Sequence, residues 1–142
     1  MTRSRSTSAS AQQGFTMIEL IVVIVILGVL AATALPKFID MRSDAEQASV
    51  NGVAGAAAAA MNINYGGCAL TGNVVTANKC VKISACSDAG TIMQGGMPSG
   101  FSAAASGTDI GATNGNTATC TVTKTVGTTD YTANFTGVSA GN

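Results

Sequence analysis

Gly14-Phe15-Thr16-Met17-Ile18-Glu19-Leu20-Ile21-Val22-Val23-Ile24-Val25-Ile26-Leu27-Gly28-Val29-Leu30-Ala31-Ala32-Thr33-Ala34-Leu35 is the stretch on which the reading of this chain turns. From Phe15 to Leu35 it contains one charge, Glu19. A helix needs about 20 apolar residues to cross a bilayer. The preceding residues 1–13 are polar and carry Arg3 and Arg5 without an acid. The positive-inside rule keeps such a flank cytoplasmic and sends the remainder of the chain outward. A secretory signal is cut after its apolar run, at small residues. Here the small residue, Gly14, stands before the run. Cleavage after Gly14 would remove a basic leader, residues 1–14, and leave the apolar helix on the mature chain. On topology alone the alternative is an uncleaved signal anchor.

Glu19 favours cleavage. A carboxylate in a membrane helix costs roughly 2–3 kcal/mol or more and usually has a partner. No Lys or Arg lies between Arg5 and Lys37. Cutting before Phe15 would create an α-amino group with a reference pKa of about 8, largely cationic at neutral pH. That amine stands one helical turn from Glu19, or it could meet the Glu19 of a neighbouring chain and fix how far one helix slides past the next.

This stretch resembles the type IV prepilin signature, over roughly the first 45 residues. The resemblance implies cleavage between Gly14 and Phe15 by prepilin peptidase and N-methylation of Phe15 by the same enzyme. It gives Glu19 the assembly role, neutralising the N-terminus of an adjacent subunit. Ala34-Leu35-Pro36-Lys37-Phe38 further resembles the mannose-sensitive haemagglutinin branch of these pilins. The implied partners are other copies of the chain in a helical filament, the processing enzyme and the pilus assembly machinery. The implied location is the inner membrane before assembly and an extracellular filament afterwards.

Beyond the apolar run, Pro36 lacks the N–H that would bond the Ala32 carbonyl, and Gly28 costs roughly 1 kcal/mol relative to alanine. In pilins that this chain resembles, the stretch between such a Gly and Pro can lose helicity within the filament, so Gly28–Pro36 is the expected helix break. An amphipathic, alanine-rich helix is expected over 37–65. Its small-residue stripe, Phe38, Met41, Ala45, Ala48, Gly52, Gly55, Ala56 and Ala59, would lie against a sheet. Asn64-Tyr65-Gly66-Gly67 would end it. A Phe15–Asn64 helix is about 75 Å long at 1.5 Å per residue. No small domain buries such a rod, so its first half (15–36) needs lipid or other copies.

Residues 66–142 turn rich in Thr, Gly, Asn, Ala and Ser. Strands are expected at Val74–Thr76, Lys79–Ile83, Ala118–Val126 and Tyr131–Thr136, with a turn at Gly127-Thr128-Thr129. Ser87 and Asp88 would cap a short helix through Met93. Ser106–Asn116 reads as a loop. The fold class is therefore α+β, a long N-terminal helix whose second half packs on a small antiparallel sheet. A head this small usually needs staples. Four cysteines, Cys68, Cys80, Cys86 and Cys120, supply them on the outward, oxidising side. Four cysteines permit three connectivities. Cys68–Cys80 would close a short hairpin-like loop, and Cys86–Cys120 would tie the region before the short helix to a strand. The pilins that this chain resembles commonly carry a disulfide enclosing a C-terminal surface loop, which supports the second pair.

Composition argues against chemistry. Only 10% of the 142 residues are charged, against about 25% in ordinary soluble domains. Formal net charge is zero and histidine is absent, so neither a nucleic-acid footprint nor the commonest general base is available. The cysteines lack C-x-x-C spacing, which speaks against zinc. Asp88, Asp109 and Asp130 are scattered and read as solvated loop charges rather than calcium ligands. Gly111–Gly115 lacks the lysine of a phosphate loop. No catalytic residue, metal or cofactor is assigned. The expected function is a structural subunit of a type IV pilus, serving adhesion, motility or DNA uptake. The alternative is a pseudopilin of a type II secretion system, whose members usually lack disulfides and bind calcium through clustered acids. A single-pass membrane enzyme is the third reading, and it would retain Arg3 and Arg5.

Overall fold

The computed structural model describes residues 14–142, and the leader residues 1–13 lie outside them. The chain forms two compact units, one ending at Asp40 and one running from Met41 to Asn142. Helix α1, Met17–Leu70, contributes to both. In the first unit its large apolar residues from Met17, at 84%, to Leu35, at 65%, are all exposed, as is Phe15 just before it. This helix is long and apolar enough to cross a membrane by length and composition. The expected break does not occur in the single chain, because Gly28 and Pro36 both lie inside α1. Pro36 forfeits one backbone bond, and glycine costs about 1 kcal/mol. The helical bonds on either side are enough to carry the conformation past both.

In the second unit, α1 buries Val50, Ala54, Ala57, Met61, Asn64 and Cys68. Their alternating spacing of four and three is one helix face. This corrects the expected contact stripe. Ala45, Ala48, Gly52, Gly55, Ala56 and Ala59 are exposed. The head takes the face with bulk, because Val50 and Met61 fill space that a stripe of alanines and glycines would leave empty.

The helix also runs one turn further than expected, to Leu70. Gly66 and Gly67 do not stop it. A Cβ on Gly67 would sit 2.0 Å from the Lys79 carbonyl oxygen, so this glycine admits a crossing chain rather than a cap. Asn64 holds the same chain: its Nδ2 donates to Val81 O and its Oδ1 accepts from Val81 N, both at 2.8 Å. The helix stops where Gly72 takes φ 66°. Asn73 N then bonds Cys68 O at 2.7 Å and Gly72 N bonds Ala69 O at 3.4 Å. This is the paired bond pattern of a Schellman end.

The sheet has three antiparallel strands, β1 (Phe101–Ala105), β2 (Thr117–Val126) and β3 (Thr129–Val138), in that order. β2 and β3 form a hairpin closing at Val126 and Thr129, with Gly127 at φ 65°. Val74–Thr76 and Lys79–Ile83 are not strands. They make only the isolated bridges Thr76–Cys80 and Ile83–Ala140. The backbone groups of Val81 are taken by Asn64 instead of a neighbouring strand. β1 was not expected, since Phe-Ser-Ala-Ala-Ala carries little strand preference; pairing along β2 overrides it. Before the sheet come a 3-10 turn, Cys86–Asp88, and the short helix α2, Ala89–Ile92.

The inner face of the sheet brings Cys120, Val122 and Phe135 into one cluster with Val50, Ala54, Ala57 and Met61 of α1, which Val138 joins from the end of β3. Polar contacts fix the helix on the sheet at the edge of that cluster. Lys124 Nζ donates to Glu46 Oε2 at 2.6 Å and lies 5.0 Å from the centre of the Phe101 ring. Gln47 Nε2 donates to Thr132 O at 2.8 Å.

Candidate assembly site

The first turn of α1 is built by a T-x-x-E pattern that the sequence reading passed over. Thr16 N donates to Glu19 Oε2 at 2.8 Å, and Glu19 N donates to Thr16 Oγ1 at 3.3 Å. The two side chains also bond directly, Thr16 Oγ1 to Glu19 Oε2 at 2.6 Å. This reciprocal arrangement is a capping box. It satisfies N–H groups that begin a helix without partners. A carboxylate in the first turn is also favoured by the helix dipole. Glu19 therefore has a local task as well as the intermolecular one expected of it. Among the described residues it makes no ion pair.

Gly14 and Phe15 lie just outside the helix and are exposed. No atom outside the adjacent residues comes within 4 Å of a Cβ built on Gly14. The peptide bond between them thus lies just before the helix, in a segment assigned to neither helix nor strand. Further along, Thr33 Oγ1 donates to Leu30 O at 3.0 Å. This internal bond satisfies the hydroxyl in an apolar run, and such back-bonding slightly weakens the turn it sits on. Gly28, Thr33 and Pro36 are thus three successive soft points on one continuous helix.

In the second unit the cysteines form two disulfides. Cys68–Cys80 joins the last turn of α1 to the segment beside it, with Cα atoms 4.5 Å apart. Cys86–Cys120 joins the 3-10 turn to the middle of β2, with Cα atoms 5.5 Å apart. All four cysteines are buried. The acids near the second bridge are not merely solvated. Asp88 Oδ2 accepts from Ser84 N and Ala85 N, both at 2.9 Å. Asp109 Oδ1 accepts from Cys86 N at 2.8 Å and Ile110 N at 2.9 Å. Two carboxylates thus hold the turn that presents Cys86. Asp130 Oδ1 accepts from Thr125 Oγ1 at 2.7 Å, on the opposite side of the sheet from the core. These acids are spent on separate structural bonds, and among the described residues no group of His, Cys, Asp or Glu is arranged to hold a metal ion.

Residues 9–35 match the family described as the prokaryotic N-terminal methylation motif. The N-terminal segment thus carries the methylation motif found in prokaryotic proteins of this kind. Over 51 residues the chain is 49% identical to the type IV narrow pilus major component PilA5 of Thermus thermophilus, covering 36% of this chain and 44% of the relative. Over 43 residues it is 51% identical to the type IV major alpha-pilin of Moraxella bovis, covering 30% of this chain and 27% of the relative. Fimbrial protein Q of the same organism matches equally, at 51% over 43 residues. The chain thus spans less than half the length of the curated relatives it matches. No solved structure matches it. These relatives do not resolve the haemagglutinin branch.

Proposed function

We propose that this chain is the precursor of the structural subunit of a type IV pilus. Hydrolysis of the Gly14–Phe15 bond by prepilin peptidase releases the leader 1–14, and the new Phe15 amine is N-methylated by the same enzyme. The apolar helix 15–36 waits in the inner membrane and then passes into the core of an extracellular filament. There the Glu19 carboxylate pairs with the Phe15 ammonium of a neighbouring copy and sets the axial register. The helix from 37 to 65 carries the disulfide-stapled head, 66–142, on the outside.

The observation that carries this reading is the exposure of Phe15–Leu35. About 25 cal/mol is gained per Å² of apolar surface removed from water, so a bare helix of this kind demands lipid or copies of itself. The methylation-motif match supports modification at the new N-terminus, and the pilin relatives support the pilus reading. Adjacent copies burying one another's helices would also relieve Glu19, because a low-dielectric core strengthens its attraction to a neighbouring amine. In that setting the soft points at Gly28, Thr33 and Pro36 allow the stretch 28–36 to give up helicity, which makes it the extensible element. The relatives are named as pilus components, and the two disulfides suit an external head. Both weigh against the secretion pseudopilin. Nothing in the head assembles a catalytic group.

The test is electron microscopy of cells with and without this chain, using antibody against the head. Filaments labelled along their length, and lost with the chain, are expected. Label confined to the inner membrane of cells that secrete normally only with the chain would overturn the proposal.

A further inference from the structure

Residues 139–142 follow β3 and run as a tail over the segment that carries Cys80. Ile83 N donates to Ala140 O at 2.8 Å and Ala140 N donates back to Ile83 O at 3.1 Å. Ala140 is buried in one cluster with Cys68 and Cys80, so the tail covers that disulfide. Gly141 takes φ 68°, and a Cβ built on it would stand 3.2 Å from Cys80 Sγ and 3.1 Å from Val81 O.

One turn, 113–116, holds the tail from the other side. Asn116 N bonds Thr113 O at 3.0 Å, with Gly115 at φ 85°. Ser139 N donates to Asn116 O at 2.8 Å, and Gly115 N donates to Ser139 O at 2.9 Å. Asn114 adds a two-way amide clamp. Its Nδ2 donates to Asn142 O at 2.8 Å and its Oδ1 accepts from Asn142 N at 3.0 Å.

Asn114-Gly115 is also a reactive dipeptide, because a glycine leaves its own nitrogen unhindered. In amide loss Gly115 N attacks Asn114 Cγ and gives up its proton, and Nδ2 leaves as ammonia. Water then opens the cyclic imide at either carbonyl and leaves an aspartyl or isoaspartyl residue. No oxidant is needed. Here both reacting groups are engaged by the tail. Gly115 N must leave Ser139 O, and the Asn114 amide must turn away from Asn142, before the attack can begin. Once formed, the product cannot restore the clamp. A carboxylate accepts hydrogen bonds and donates none, so the oxygen that replaces Nδ2 faces Asn142 O as acceptor against acceptor.

We propose that Asn114 is both the latch of this tail and a latent modification site: it loses its amide only when residues 139–142 lift, and the loss keeps them lifted and uncovers the Cys68–Cys80 bridge. The switch runs one way, since nothing in the chain returns the ammonia. Every residue involved belongs to the second unit, so the switch is independent of filament assembly. The chain's other Asn-Gly pair, Asn51-Gly52, lies inside α1, where the helix fixes the backbone, and serves as an internal comparison.

The experiment incubates the full chain in detergent in mildly alkaline buffer. Peptide masses report amide loss, hydrogen exchange reports the Ala140 amide, and a thiol reductant probes both disulfides. A free peptide of residues 112–117 gives the unprotected rate. Wild-type Asn114 should lose its amide more slowly than the peptide by about tenfold or more, because reaction waits on local opening. Gly141→Ala strains a left-handed position and crowds Cys80, and should speed the loss about tenfold while Asn51 keeps its amide. Asn114→Asp, the product itself, should speed Ala140 exchange and Cys68–Cys80 reduction about tenfold. Reduction of Cys86–Cys120 should not change in either variant, which reports a folded head. Wild-type amide loss at the peptide's rate would overturn the proposal. So would an Asn114→Asp chain whose Ala140 exchange and Cys68–Cys80 reduction match the wild type. If Gly141→Ala exposes both bridges, the head has unfolded, and the Asn114→Asp chain decides alone.

Discussion

The two units of this chain solve the burial of apolar surface in opposite ways. Between Phe15 and Leu35 the chain is crowded with large apolar side chains, and it buries none of them. Residues from Met41 onward space such side chains more thinly and enclose a core of them: Val50, Ile83 and Val122 are at 0% exposure and Met61 at 1%, while Ile63, Leu70 and Val74 stay outside it. The first unit is stable only in company, with lipid or with copies. The second is closed by its own staples and hydrogen bonds. The difference teaches that helix α1 answers to two environments, and that a substitution should damage assembly or folding according to the unit it falls in.

The largest effect should separate the two cleanly. Glu19→Ala removes one partner of a proposed ion pair in an apolar core, and a charge left there without its partner is strongly destabilising. Filaments should disappear from shear fractions while the circular dichroism of the head and both disulfides stay unchanged. Loss of head structure in that variant would break the comparison. Cys120→Ala is the converse. Removing the buried Cys86–Cys120 bridge should lower head stability by about 2–5 kcal/mol, read by denaturant unfolding in detergent. Cleavage at Gly14 should continue, as seen by the size of the membrane-bound chain.

Two smaller effects sharpen the account of the head. Gly67→Ala places a methyl where the Lys79 carbonyl stands, and should cost about 1–3 kcal/mol. If alanine is neutral there, the close approach is not what keeps glycine in the helix. Lys124→Met removes a pair whose side chains retain 24% and 20% exposure, together with the contact to Phe101. Partial hydration limits the loss to about 1 kcal/mol, seen as a small shift in the unfolding midpoint.

Much of the first unit was legible because its signals are one-dimensional. A long apolar run, a basic flank, a small residue before the run and one acid inside it need no tertiary contact to be read. The Thr16–Glu19 box is equally open to reading, since its T-x-x-E spacing is a known helix start, but Glu19 was read only as a partner for the new amine, within its own chain or on a neighbour. The head was read less well for a physical reason. Gly66-Gly67 has the composition of a helix end, yet the helix passes through because a crossing chain needs the space. The alanine and glycine stripe looked like a contact face, yet Val50 and Met61 fill the core better. β1 carries almost no strand preference and exists because β2 offers it a partner. Each of these depends on what lies opposite in space. The β2–β3 hairpin was found because threonine alternation and Gly127 are local.

The most direct test is the intact mass, reduced and unreduced, of subunits from filaments sheared off the cell surface. The account predicts a chain beginning at N-methylated Phe15, lighter before reduction by the four hydrogens that two disulfides remove. A chain that still carries Met1–Gly14 would contradict it.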